Sequence, residues 1–173
     1  MKYIPYFILV FICYVTLANV LKEKDMIPKE SIRIRVIANS NSTYDQEVKK
    51  SVKNVLTSDM SELLKNVDDV DEARAVINRN LSKIDTNINE FLTKNNYDID
   101  YNLNFGYNYF PKKEYKGIKY KAGYYESLVV TLGKGNGDNW WCVLFPPICM
   151  IEAEESDEVE YTTLVRELFS KYS

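Results

Sequence analysis

The sequence predicts an α/β chain of the α+β type, with a single mixed four-stranded sheet and helices packed on one face. Two segments, residues 31–38 and 97–109, alternate apolar and polar residues, the two-residue period of a half-buried strand. Two segments between the first and second of these have apolar residues at helical spacing. A short helical pattern near the carboxyl terminus completes the predicted order β-α-α-β-β-β-α.

The first strand and the two helices follow from residues 31–96. In residues 31–38, Ile32, Ile34 and Val36 fall on one face of the strand, and Arg33 and Arg35 fall on the other. A polar turn follows, in which Ser42 and Asp45 resemble a capping box. This predicts a helix to about Lys65. Asp69 or Asp71 can cap the second helix, and Asn95-Asn96 end it.

Three further strands are predicted after the helices. Alternation is unbroken over residues 97–109, with tyrosines and other apolar residues on one face and Asp and Asn on the other, wet face. Residues 111–123 are predicted as a loop, and residues 125–132 as the third strand. A glycine-rich turn over residues 133–139 leads to a fourth strand over residues 140–145. Pro146-Pro147 halt this strand.

The amino-terminal segment predicts export. Residues 3–21 form an uncharged, mostly apolar run behind Lys2. Such a run is typical of a signal peptide, and its length is close to the ~20 residues that span a bilayer. Residues 1–21 are therefore a signal peptide cleaved after Ala18 or an uncleaved membrane anchor, with a buried core helix as the third interpretation. Export leaves a linker over 22–30, the α/β domain over 31–151, and an acidic linker with an amphipathic helix over 152–173.

The composition of the chain excludes several kinds of catalytic and binding site. The 173 residues include 22 Lys and Arg, 25 Asp and Glu, and no histidine, for a net charge of −3. Without a basic excess, no nucleic-acid partner is expected. Without histidine, Ser-His and Cys-His nucleophiles and histidine metal sites are excluded. We therefore predict no catalytic residues, no cofactor and no metal.

The cysteines leave two interpretations open. Cys13 lies in the apolar run, so that Cys142 and Cys149 are the two cysteines of the exported part. An even number outside the cell favours a disulfide between them. Two packed thiols in an apolar strand are the alternative.

Carboxylates provide the rival functional hypothesis. Asp98, Asp100 and Glu126 lie in predicted strands, and two such groups on one face could hydrolyse glycosides. An exported carboxylate-dependent cell-wall hydrolase is thus the alternative function. Exposed charges on a half-wet sheet are the simpler explanation of these residues.

The densest local signal lies around Trp140 and Trp141. Adjacent strand residues point to opposite faces, so one tryptophan can fill the core while the other faces out. An exposed tryptophan is a typical anchor for another protein. We therefore predict a partner-binding surface where the glycine turn meets the fourth strand, formed by Gly133, Gly135, Gly137, Asn139, Trp140 and Trp141. Burial of both rings is the alternative.

These residues also carry a resemblance to a known family. The sequence resembles stage II sporulation protein R of endospore-forming bacteria over about residues 31–150. The segments that carry the resemblance are Ile34 to Ser40 with Asp45-Gln46, Phe110-Pro111 with Lys113 and Tyr115, Ala122-Gly123, Tyr125 to Leu128, Gly133, Gly135 and Gly137, and Asn139 to Pro147 with Cys149.

The resemblance implies a role that the residues alone do not give. Members of this family are exported from the forespore into the intermembrane space between forespore and mother cell. There they trigger a membrane-embedded aspartic protease, stage II sporulation protein GA, which removes the pro-sequence of the sigma-E factor. The family member is the signal and not the protease, so the expected mode of action is protein–protein binding.

Overall fold

The computed structural model describes residues 3–4, 11–12, 30–115 and 118–146. The elements, in chain order, are β1 (Ile32–Ile37), α1 (Thr43–Leu63), α2 (Val70–Lys94), β2 (Tyr101–Phe110), β3 (Lys113–Tyr115), β4 (Ile118–Tyr120), β5 (Gly123–Leu132) and β6 (Asn139–Phe145). The predicted order β-α-α-β-β-β is confirmed for the main elements. The loop predicted over residues 111–123 instead contains the small β3–β4 hairpin. The predicted terminal helix over residues 152–173 lies outside the described residues.

The four main strands form one mixed sheet in the order β2-β5-β1-β6. β1 runs parallel to β5, with Val36 opposite Val130. β6 is antiparallel to β1, and β2 is antiparallel to β5. The predicted mixed sheet is thus confirmed, and β2 and β6 are its two edges.

Both helices begin at side-chain caps. The Ser42 hydroxyl accepts a hydrogen bond from the Asp45 N–H at 3.1 Å, which caps α1 as predicted. Of the two candidate caps for α2, Asp69 is the one used, and its carboxylate accepts from the N–H groups of Asp71 and Glu72. Asn95 ends α2, and Asn96 follows with a left-handed φ of 54°.

The core lies between the helices and one face of the sheet. Ile32, Ile34 and Val36 are fully buried, as the alternation in β1 predicts. Against them pack the buried residues of the helices, which are Val48, Val52, Leu56 and Met60 in α1 and Ala73, Ile77, Ile84, Ile88 and Leu92 in α2. The predicted arrangement of helices on one face is confirmed.

The prediction for the second strand was wrong in two respects. β2 begins at Tyr101 rather than at Tyr97. Its tyrosine face is covered only in the first half: Tyr107 is 73% exposed and Tyr109 is 53% exposed, while Phe110 on the opposite face is fully buried. Tyr101, Leu103 and Phe105 pack against the helical core, whereas aromatic side chains cover the opposite face around Phe110. One strand therefore has a different covered face in each half.

The described helices do not reach the length and apolar character that crossing a bilayer requires. The predicted export segment over residues 1–21 lies outside the described residues, apart from residues 3–4 and 11–12.

Candidate functional site

The glycine turn before β6 packs onto the loop between β1 and α1. We call this contact, between residues 133–138 and residues 38–42, the turn junction. Four hydrogen bonds hold it together: Asn136 N–H to Asn39 C=O at 3.0 Å, Gly137 N–H to Ala38 C=O at 2.9 Å, Lys134 N–H to Asn39 Oδ1 at 3.0 Å, and Asp138 N–H to Asn41 Oδ1 at 2.6 Å.

Packing in the turn junction accounts for its three glycines. Gly133 and Gly135 have left-handed φ values of 52° and 64°, a conformation that glycine adopts without steric cost. A Cβ on Gly137 would lie 2.6 Å from the carbonyl carbon of Ser40. These backbone positions are therefore held in place rather than free, and their role in binding a partner stays a prediction.

A buried carboxylate supports the turn junction from α1. Asp45 accepts hydrogen bonds from Asn39 Nδ2 at 3.0 Å and from Ser40 Oγ at 2.5 Å. The hydrogen bond from Ser40 is the main cause of a lowered Asp45 pKa. Lys49 reaches across to the Asp138 carbonyl at 3.0 Å. Gln46 Nε2 donates to the Ser40 carbonyl at 2.9 Å, so that Asp45 and Gln46 of α1 hold the loop at Asn39-Ser40 that receives the turn.

The two adjacent tryptophans lie on opposite faces of edge strand β6, and both are half-buried. Trp140 is on the helix side, where Lys53 Nζ lies 5.4 Å from its ring centroid. Trp141 is on the other side, in edge-to-face contact with Phe110 at a centroid distance of 5.7 Å. Since Asn139 begins this strand directly after the turn, the six residues predicted as the partner surface lie at one corner of the sheet.

A buried arginine on the face away from the helices was missed from the sequence. Arg33 is only 1% exposed. Its guanidinium carbon lies 3.3 Å from the ring centroid of Tyr125, 5.2 Å from that of Phe110 and 5.4 Å from that of Trp141. These are cation–π distances. Trp141 therefore has a packing role in covering Arg33, whatever else it contacts.

The carboxylates of the rival hypothesis do not form a site. Glu126 accepts a bidentate pair of hydrogen bonds from Arg74, at 2.7 Å to Nε and 2.8 Å to Nη2. This partner is the main cause of a raised Arg74 pKa. Asp98 and Asp100 are exposed and precede β2. In the described part of the chain, no three Cys, Asp or Glu side chains converge in a group that could hold a metal ion.

A match to a family model identifies the family of this chain. The model of stage II sporulation protein R matches residues 28–155, which include the whole described sheet and both helices. The chain belongs to the stage II sporulation protein R family. The turn junction, both tryptophans and Arg33 all lie within the matched range.

A curated relative agrees with this assignment. The chain is 36% identical over 135 residues to stage II sporulation protein R of Bacillus subtilis (strain 168). The match covers 78% of this chain and 60% of the relative, so this chain aligns with less than two thirds of that protein. No solved structure matches the chain.

Proposed function

We propose that this protein is an exported sporulation signal that activates a membrane-embedded aspartic protease, stage II sporulation protein GA, by binding it. The activated protease then processes the pro-sigma-E factor. The observation that carries the proposal is the family match over residues 28–155. The proposal includes export from the forespore to the intermembrane space, with residues 1–21 as signal peptide or anchor. Because the family is one of sporulation proteins and not a known enzyme family, binding is the mode of action we propose.

Local geometry favours binding over carboxylate catalysis. A glycosidase needs one carboxyl group free to give a proton and a second placed across the substrate. Both oxygens of Glu126 instead accept hydrogen bonds from Arg74. The hydrolase alternative therefore receives no support from the residue that was its best candidate.

The proposed contact surface is the corner formed by Gly133, Gly135, Gly137, Asn139, Trp140 and Trp141. It lies on edge strand β6, which pairs only with β1 among the described strands. We propose Trp140 as its anchor. Trp141 packs against Phe110 and the buried Arg33. The Trp140 ring is half-buried against the margin of the helical core, beside Lys53 on edge strand β6.

A disulfide between Cys142 and Cys149 is part of the proposal. The even number of cysteines in the predicted exported part, Cys142 and Cys149, supports the pairing. Cys149 lies outside the described residues. Intact-mass analysis of exported protein, alkylated without reductant, should find no free thiol in residues 22–173. Two alkylated thiols would contradict the pairing.

Alanine variants of the two tryptophans test the surface. Cells that make the protease and pro-sigma-E receive each variant, and processing is measured beside the melting temperature of the purified chain. Trp140→Ala should fold and fail to activate, with binding weakened roughly thirtyfold, because an interface anchor is worth about 2 kcal/mol. Trp141→Ala should lose about 3 kcal/mol of stability, since it uncovers Arg33 and Phe110.

The control is Tyr124→Ala, which removes an aromatic ring that is 72% exposed at the start of β5, at the opposite end of the strands from the corner. It should leave both folding and processing unchanged. If folded Trp140→Ala processes pro-sigma-E at the normal rate, this surface is wrong. The exposed residues Asp98, Asp100 and Asn102 are then the next surface to test.

A further inference from the structure

Within the part of the chain that the structure describes, strand β2 has an open edge with none of the usual protection. Among the described strands it pairs only with β5, in continuous register from Tyr101 to Phe110. Its ten residues include no charged residue and no proline. Natural edge strands are normally kept apart by short length, charges, proline or bulges. The outer edge of β2 is therefore a template for another strand.

A groove and two exposed rings share one face of this strand. The groove, of about 390 Å³, lies between α2 and β2 and is lined by Leu81, Ser82, Asp85, Tyr101, Asn102, Leu103 and Phe105. Further along β2, Tyr107 and Tyr109 point to the same face, since they keep the alternation of Leu103 and Phe105. Both tyrosines are largely exposed. The strand thus carries both a cavity and side chains large enough to fill it.

We infer that a second copy of this chain pairs with β2 in antiparallel orientation, about a two-fold axis at Phe105. In this register Leu103 faces Tyr107 of the other copy, and Tyr101 faces Tyr109. On the opposite face Asn102 faces Asn108, and Asn104 faces Gly106. No pair brings charges together, and aromatic rings meet apolar or aromatic side chains, the cross-strand pairs that stabilise sheets.

The pleat restricts the register to pairs of residues that share a face. A shift by one residue would place the tyrosines of one copy against the asparagines of the other. With Phe105 on the axis, Tyr107 of each copy instead enters the groove of the other beside Leu103. Symmetry repeats this contact, so that one surface patch serves as both halves of the interface. This self-complementarity is what favours a second copy over an unrelated extended peptide.

The oligomeric state of the full 173-residue chain in detergent tests the interface. Analytical ultracentrifugation should find a dimer for the wild-type chain. Tyr107→Lys should raise the dimer dissociation constant by about tenfold or more, because it removes the ring that fills the groove. Tyr44→Lys, which changes another exposed tyrosine on α1, should leave the dimer intact. A wild-type chain that is monomeric, or a dimer that Tyr107→Lys leaves intact, would overturn the proposal.

Cysteine cross-linking tests the register. With copper phenanthroline as oxidant, Phe105→Cys should form a covalent dimer, because the two cysteines lie opposite each other on the axis. Asn102→Cys should not, since it faces Asn108. The wild-type chain reports any cross-linking through its native cysteines.

A mixture of Leu103→Cys and Tyr107→Cys chains tests the same register without changing Phe105. It should give cross-linked heterodimers, and neither chain alone should cross-link above the wild-type level. Cross-linking of Asn102→Cys as strong as that of Phe105→Cys, or no cross-linked heterodimer in the mixture, would overturn the pairing.

Discussion

Replacing Gly137 by alanine tests whether packing holds the turn junction. A Cβ at this position would lie 2.6 Å from the carbonyl carbon of Ser40 and 2.9 Å from Ala38 Cβ. Both distances are shorter than atoms tolerate, and the Ser40 contact is with backbone that cannot rotate away. The turn before β6 must therefore move off the loop between β1 and α1.

The expected loss of stability follows from that movement. Overpacking of this kind costs about 1–3 kcal/mol. The hydrogen bonds from Gly137 to Ala38 and from Asn136 to Asn39 stretch together, which costs about 1 kcal/mol each. Alanine recovers about 0.5 kcal/mol by restricting the unfolded chain. The net loss is about 3 kcal/mol, which lowers the melting temperature by about 10 °C for a domain of this size.

The assay is thermal unfolding of the full chain in detergent, followed by circular dichroism. Gly106→Ala is the matched control, because a Cβ there meets only Asn104 Oδ1 at 3.9 Å. Its melting temperature should lie within a few degrees of that of the wild type, which corresponds to a change in stability of roughly 1 kcal/mol or less. If Gly137→Ala melts like the wild type, the packing argument is refuted. If that variant also fails to signal, Gly137 acts at the partner surface instead.

Three further predictions concern charged and polar groups. Glu126→Gln should lower the stability of the chain by about 1 kcal/mol, because the ion pair with Arg74 loses its negative charge. The variant should still signal, and loss of signalling in a folded Glu126→Gln chain would revive the hydrolase alternative. Asp45→Asn should melt below the wild type at neutral pH. Since the Asp45 pKa is lowered by folding, this difference should shrink as the pH falls below about 3.9, and a constant difference in pH titrations of melting would refute its cause. Burial raises the pKa of Tyr101 to about 12, and the hydrogen bond to Asp85 adds to this effect. The stability that Tyr101 contributes should therefore be full below about pH 10 and be lost as the pH rises through 12. In alkaline unfolding experiments Tyr101→Phe should remove this pH dependence, and it should cost about 1 kcal/mol of stability.

Local signals in the sequence were enough for most elements of the fold. A cap needs only its own side chain and the next three N–H groups, so Ser42 marked the start of α1. Alternation was less reliable for β2, because it reports which way side chains face and not whether strands pair. Tyr97 and Ile99 do pack against the core, but the Tyr97 N–H bonds to Leu92 at the end of α2. The strand therefore starts later than its pattern.

The surroundings of Arg33 could not be predicted in the same way. Its burial depends on which residues of β5 and β6 lie beside β1, and the pairs Arg33–Ser127 and Arg33–Val143 join positions about a hundred residues apart. The aromatic residues that cover it, Phe110, Tyr125 and Trp141, come from β2, β5 and β6. The alternation of residues along β1 carries no information about contacts with other strands. It therefore predicts which face Arg33 lies on, but not that aromatic side chains bury this face.

The two edges of the sheet are suited to different partners. Edge β6 carries the proposed protease surface, and edge β2 carries the proposed contact with a second copy. Pairing two β2 strands joins the four strands of each copy into one sheet, in which the β6 strands are the outermost. Seven strand spacings of ~4.8 Å then separate the two Trp140 corners by about 34 Å. Two corners this far apart, related by a two-fold axis, would each present the proposed surface to a separate protease molecule. Dimerisation would then raise the avidity of the signal without changing either surface.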